Sequence, residues 1–157
     1  MDNEPNHARV VADADVLAAD LLVGGTAREA LDHLRRHSWL ELVVTEPLLD
    51  DAEAVIAELA DVQFASEWRE RVETWATVVD QPPDDHPALA AAYRSGAVHL
   101  ISMDDRLQSA RAGAELGAHM TVSVRSPDAF ARVFDPESVY ELVFEEPYPG
   151  PDRDPRA

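Results

Sequence analysis

The sequence contains neither cysteine nor lysine, and all 13 of its basic residues are arginines. The lack of cysteine excludes disulfides and thiolate metal sites, so any metal must be bound through oxygen or imidazole. No apolar run approaches the roughly 20 residues that a membrane span needs. The first five residues, M-D-N-E-P, are acidic and polar, unlike a basic and apolar signal peptide. We therefore expect a cytoplasmic protein that does not associate with membranes.

The charge of the chain is strongly unbalanced, with a net charge of -18 and a pI near 4.4. Such a surface repels a polyanion, which taken alone argues against binding to nucleic acid. Molar salt changes this conclusion, because it screens charges beyond about 3 Å while dense carboxylates keep the surface hydrated. The absence of lysine resembles the composition of proteins from halophilic cells. If the protein works in such a cell, its net charge says little about its binding partners.

The alternation of apolar segments predicts one α/β domain, since 157 residues with 46% apolar content can bury a core. Strands and helices alternate, which predicts a three-layer α/β/α sandwich around a parallel sheet of about five strands. The predicted strands cover residues 9–12, 40–44, 77–79, 98–102 and 120–124, and the predicted helices include 66–76, 107–116 and one capped by Thr26. We assign residues 1–134 to the domain and residues 135–157 to a C-terminal helix over 138–144 followed by an irregular acidic tail.

Four acidic residues lie where this topology brings chain segments together. Asp13 and Asp104 each follow a buried strand, Asp85 opens a helix, and Asp51 lies in the third helix. Ligands of parallel α/β sheets bind beyond the carboxyl ends of the strands. Clustered carboxylates are ligands for hard divalent cations, and their mutual repulsion raises some of their pKa values when no metal is bound. The pattern predicts a site for Mg²⁺ or Mn²⁺.

Two of these positions have alternatives. Asp85 also fits a simple helix cap, a role that Asp84 would fill equally well. The phase of the third helix allows Asp50 or Glu53 to point inward instead of Asp51.

Four segments carry a resemblance to a known family. They are D-A-D-V-L at residues 13–17, D-H-P-A-L-A at 85–90, L-I-S-M-D-D-R-L at 100–107 and V-R-S-P-D-A-F at 124–130. In this order they resemble the D-x-[ND]-[VIL]-[LI], D-x-x-x-[LI]-A, L-[VI]-[TS]-x-D-x-x-L and V-x-[ST]-P-x-x-[FL] elements of the PIN-domain family of metal-dependent ribonucleases. The resemblance covers roughly residues 9–133, so the domain at 1–134 is expected to be PIN-like.

The resemblance implies an Mg²⁺- or Mn²⁺-dependent endoribonuclease acting on RNA. Its metal ligands would be Asp13, Asp85 and Asp104, and Asp51 would stand where the family has a glutamate one methylene longer. Family members are often homodimers and often toxins paired with an antitoxin protein, so both kinds of partner are expected.

Three further residues have supporting roles or neutral alternatives. Ser102 would orient metal-bound water or phosphate. Asp15 would be a supporting carboxylate or, equally, a turn residue. Arg106 would contact phosphate or pair with neighbouring acids.

Two rival functions remain open from the sequence. A PIN-like scaffold that binds RNA or a protein without cleaving fits the shorter Asp51 and the acidity. A haloacid dehalogenase-like phosphatase also begins with a strand and D-x-D, but there the motif continues with G-T-L, whereas V-L follows here. His33 and His37 lie four apart on a helix without an H-E-x-x-H motif, which indicates surface or helix-end residues and not a transition-metal site.

Overall fold

The central element of the fold is a five-stranded sheet in which every neighbouring pair is parallel. It is seen in a computed structural model that describes residues 5–80, 87–104 and 122–156. The strand order is β3-β2-β1-β4-β5. The strands are β1 Asn6–Ala12, β2 Glu41–Val44, β3 Thr77–Val78, β4 Ala97–Ile101 and β5 Ser123–Arg125. The predicted parallel sheet of about five strands is therefore confirmed.

The helices begin where side chains can satisfy their first backbone N–H groups. Asp13, Thr45, Asp61, Ser126 and Asp135 each accept such a hydrogen bond, which stabilises a helix start. The described helices are α1 Ala14–Leu22, α2 Gly25–Arg36, α3 Glu46–Leu59, α4 Val62–Trp75, α5 Pro87–Ser95, α6 Pro127–Val133 and α7 Pro136–Phe144. The helix predicted at 107–116 lies outside the described residues.

The start of α2 differs from the prediction. The helix begins at Gly25, one residue before Thr26, and its N-cap is Gly24 at φ +85° without a side-chain cap. The predicted Thr26 cap is wrong because the two glycines turn the chain by backbone conformation alone.

Burial along the strands shows that both faces of the sheet are covered. Val10, Val11 and Ala12 are consecutive in β1 and fully buried, and all five residues of β4 are buried. Successive side chains of a strand point to opposite faces, so helices must pack on both sides. This is the predicted three-layer α/β/α sandwich, an architecture that hosts many functions and does not select one.

The C-terminal segment forms α7 and then continues without regular secondary structure. The tail contacts the end of α2. The Asp152 N–H donates to the Arg36 carbonyl at 2.9 Å, and Arg156 pairs with Asp32 at 2.6 Å. The predicted irregular tail therefore packs on the body of the fold. None of the helices in the described ranges is long and apolar enough to cross a membrane.

Candidate functional site

The site begins where β1 and β4 leave the sheet side by side. Ala12 and Ile101 are register partners, and the Asp13 N–H donates to the Ile101 carbonyl at 2.9 Å. Asp13 and Ser102, the first residues after the two strands, therefore lie next to each other at the end of the sheet. This is the carboxyl edge of the sheet, where the sequence places the site.

The Asp13 carboxylate is held in one orientation by two donors. Its Oδ1 accepts from the Ala14 N–H at 2.8 Å, and its Oδ2 accepts from the Ser102 hydroxyl at 2.9 Å. Asp13 is only 9% exposed. Hydrogen bonds to a carboxylate are stronger than neutral ones, so this side chain is fixed before any ligand arrives.

Ser102 is a connecting residue between the two strand ends. Its side chain is fully buried, and its oxygen also accepts the Asp104 N–H at 3.0 Å. One hydroxyl thus fixes both the carboxylate of Asp13 and the backbone of Asp104. The expected contact of Ser102 with water or phosphate stays a prediction, while the described contacts give it a positioning role.

Four carboxylates line one cavity of about 430 Å³ between α1, α3 and the strand ends. They belong to Asp13, Asp15, Asp51 and Asp104. The remaining lining is apolar and consists of Ala14, Ala18, Ala19, Leu22, Val23, Val55 and Leu59. The structure therefore brings together three of the four predicted catalytic residues and the supporting Asp15.

The neighbours of Asp51 explain why this acid of α3 lines the cavity. Asp50 and Glu53 bind Arg69 of α4, with oxygen to nitrogen distances of 2.6 and 2.9 Å. Arg69 also pairs with Glu46 and Glu73. The two alternative acids, Asp50 and Glu53, therefore face α4. Of the three acids, Asp51 lines the cavity.

Asp85 lies outside the described residues, so its predicted place in the cluster stays a prediction. Within the described part of the chain, no group of three or more His, Cys, Asp or Glu side chains is arranged to hold a metal ion. The carboxylates that share the cavity nevertheless provide oxygen ligands only, which fits a hard divalent cation. The donor chemistry suits Mg²⁺ or Mn²⁺.

The electrostatics of the cavity follow from its carboxylates. Partial burial and the nearby Asp13 raise the pKa of Asp15, and Asp104 acts in the same direction. The backbone N–H groups of Val16 and Met103 offset part of this increase. Repulsion from Asp13 and Asp104 therefore adds to the effect of burial at Asp15, whereas the repulsion expected among the four predicted residues stays a prediction. No Arg or His of the described ranges lines this cavity.

The histidines of the described ranges do not line this cavity, and two of them are buried. His37 at the end of α2 is 2% exposed, and its Nδ1 lies 2.6 Å from the His33 carbonyl oxygen. It is a helix-end residue as predicted, but it is not on the surface. His99 in β4 is also buried, and no sequence motif had marked it.

Fold and cavity together define an α/β protein with an acidic cavity at the carboxyl edge of a parallel sheet. The chain belongs to DUF7384, a family of unknown function, whose model matches residues 4–156. No curated protein matches the chain. A crystal structure of PAE2754 from Pyrobaculum aerophilum is similar over 79% of this chain and 88% of that one, with 20% sequence identity and a TM-score of 0.46. This level of similarity says nothing about function.

Proposed function

We propose that the chain is a PIN-type, metal-dependent endoribonuclease that cleaves RNA phosphodiester bonds at the acidic cavity. The observation that carries the proposal is the convergence of Asp13, Asp51 and Asp104 on one cavity. These residues come from three separate segments, and the sequence pattern predicts each of them as a site residue. Asp85 would complete the set.

The metal would be held by Asp13, Asp85 and Asp104. When bound, Mg²⁺ or Mn²⁺ would supply positive charge and Lewis acidity against the phosphate, which the lining of four carboxylates lacks. The supporting observations are the all-oxygen donor set and the fixed orientation of the Asp13 carboxylate.

The chain's own residues would position and deprotonate the nucleophile. Ser102 keeps the Asp13 carboxylate in place through its hydroxyl. Asp51 faces the same cavity from α3, and its carboxylate would accept a proton from the attacking water. The oxygen of that water would form a bond to phosphorus while the bond to the leaving sugar oxygen breaks. The leaving oxygen would keep the electron pair of that bond and take up a proton from solvent water. Asp15 would stay a supporting carboxylate.

The surroundings of the cavity suit a protein partner. Val23 and Leu59 line the cavity and are 79% and 69% exposed. These exposed apolar side chains beside the site would be covered if another chain docked there. An antitoxin protein and a homodimer are the partners we propose, in the cytoplasm of a halophilic cell where salt screens the charge of -18.

A cleavage assay tests the proposal. Mixed RNA is incubated at molar KCl with Mn²⁺ and the wild type, Asp13→Asn, Asp104→Asn or the control Asp128→Asn. Asp128 is exposed on α6 and pairs with Arg132, away from the cavity. We expect the wild type and the control to cut and the two cavity variants to lose at least about a hundredfold in rate. Equal cutting by all four proteins would rule out the site.

A non-cleaving scaffold that binds RNA is the second candidate, favoured by one observation. Asp51 is one methylene shorter than the glutamate of the resembling family, and its side chain is exposed. Under this alternative, RNA is retarded in a gel by the folded wild type with Mn²⁺ but stays intact. RNA that is both retarded and cut excludes the scaffold.

A further inference from the structure

A second cavity, of about 520 Å³, lies on the other side of α1. Leu17, Asp20 and Leu21 line this cavity, whereas Ala18 and Leu22 line the acidic one. Helices α2 and α4 and the C-terminal tail provide the other walls. A volume in the range of about 300–1,000 Å³ is typical of small-molecule sites.

The charge of the second cavity is opposite to that of the chain. Its lining contains three arginines, Arg35, Arg71 and Arg153, against two aspartates, Asp20 and Asp154. The chain as a whole carries a net charge of -18. A concave site that gathers positive charge on such a protein favours an anionic ligand.

Arg71 and Arg153 offer donors to that ligand. Arg71 of α4 is exposed, and its guanidinium has no hydrogen-bond or ion-pair partner in the described ranges. Arg153 of the tail uses one nitrogen, Nη2, for the carbonyls of Leu34 and His37 at 3.1 and 3.3 Å. Guanidinium groups with open N–H donors bind phosphate through charge-assisted hydrogen bonds.

The third arginine has a structural task. Arg35 pairs with Asp20 and Asp32, and its guanidinium carbon lies 5.8 Å from the centroid of the Trp75 ring. This contact holds the indole of Trp75 in place at the cavity wall. Trp68, only 4% exposed, lines the same cavity. Indole rings are surfaces against which nucleobases pack.

We propose that this second cavity binds a nucleotide, with the base against Trp75 and the phosphate on Arg71 and Arg153. A free mononucleotide and a nucleotide of an RNA strand share this chemistry. The RNA source rests on the proposed function, whereas the binding chemistry does not depend on the acidic cavity or its metal.

The test is binding of AMP and of a short single-stranded RNA to the full chain in EDTA, at moderate and at molar KCl. Binding is followed by tryptophan fluorescence and calorimetry. We expect saturable binding that Arg71→Gln weakens by about tenfold or more, the effect of losing a charge-assisted hydrogen bond. Trp75→Leu should also weaken it, with thermal unfolding as a check that this variant folds.

Two variants serve as controls. Arg132→Gln removes an exposed arginine of α6 outside the cavity and should bind like the wild type. Asp13→Asn disables the acidic cavity and should bind AMP like the wild type, which separates this proposal from the nuclease proposal. Nucleotide binding by a protein that cuts no RNA would support the nucleotide site and reject the nuclease proposal.

The result that overturns the inference is no saturable binding of either probe, or equal binding by wild type and Arg71→Gln. Equal affinity for AMP and RNA identifies a free nucleotide as the ligand. Tighter RNA binding, together with a higher KM for cleavage in Arg71→Gln, identifies the strand.

Discussion

The burial of His99 leads to a prediction about acid stability. His99 packs edge-on against Phe130 and Phe134, with ring centroids 5.9 and 5.3 Å away. Neither ring nitrogen has a hydrogen-bond partner within the described part of the chain. Burial lowers the pKa of His99 to about 4, and electrostatic interactions with Arg125 and His7 act in the same direction. The imidazole is therefore neutral in the folded protein at neutral pH.

The sign and size of the effect follow from linkage. The unfolded chain binds the proton near pH 6.5 and the folded protein only near pH 4, so stability is present above pH 6.5 and is lost as the pH falls toward 4. The difference in pKa corresponds to a loss of about 3 kcal/mol in the free energy of unfolding when the pH has fallen below both pKa values. At about pH 5 the loss is about 2 kcal/mol. His99 is 9% exposed, so little solvent screening reduces this figure.

The assay is urea unfolding of the wild type and His99→Leu from about pH 7.5 to about pH 5 at constant molar KCl. Leucine has no titrating group and is apolar like the phenylalanines around it. The unfolding free energy of His99→Leu should therefore fall by about 2 kcal/mol less than that of the wild type over this interval. The difference between the two slopes is decisive, because an overall change in stability from repacking cancels. Parallel pH dependences of the two proteins would show that His99 does not cause the loss of stability in acid.

Three further predictions concern the site and its support. Ser102→Ala removes the hydroxyl that holds Asp13 and should lower the unfolding free energy in urea by about 1–3 kcal/mol and reduce cleavage; unchanged values would contradict its positioning role. Arg69→Gln should destabilise by roughly 1 kcal/mol, and more at low than at molar salt because its acidic partners then repel each other unscreened; a salt-independent loss would count against this explanation. Asp51→Glu should retain cleavage and Asp51→Asn should lose it. The control Asp50→Asn should cut normally, because Asp50 pairs with Arg69 and does not line the cavity.

The sequence predicted the sheet because its strands are short apolar runs that end at polar residues. Asp13 follows β1 as expected, since a carboxylate is costly to bury without hydrogen-bond partners and the strand end supplies them. The start of α2 was less predictable. A cap by Thr26 competes with a turn made by Gly24 and Gly25, and propensity alone does not decide between them.

The sequence pointed to Asp13, Asp51 and Asp104, which share the cavity, but it did not predict their contacts. The choice between Asp50 and Asp51 depends on Arg69, which is 19 residues away from Asp50 in the chain and meets it only when α3 packs on α4. The link from Ser102 to Asp13 spans 89 residues. Helical phase and strand ends carry no information about such long-range pairs, so only the fold reveals them.

The proposed binding of a divalent cation by the carboxylates of the acidic cavity can be measured by Mn²⁺ calorimetry at molar KCl. Wild type and Asp128→Asn should bind Mn²⁺ saturably, and Asp13→Asn and Asp104→Asn should each weaken that binding by about tenfold or more. A folded wild type that takes up no Mn²⁺, or cavity variants that bind it equally well, would show that these carboxylates are not a metal site.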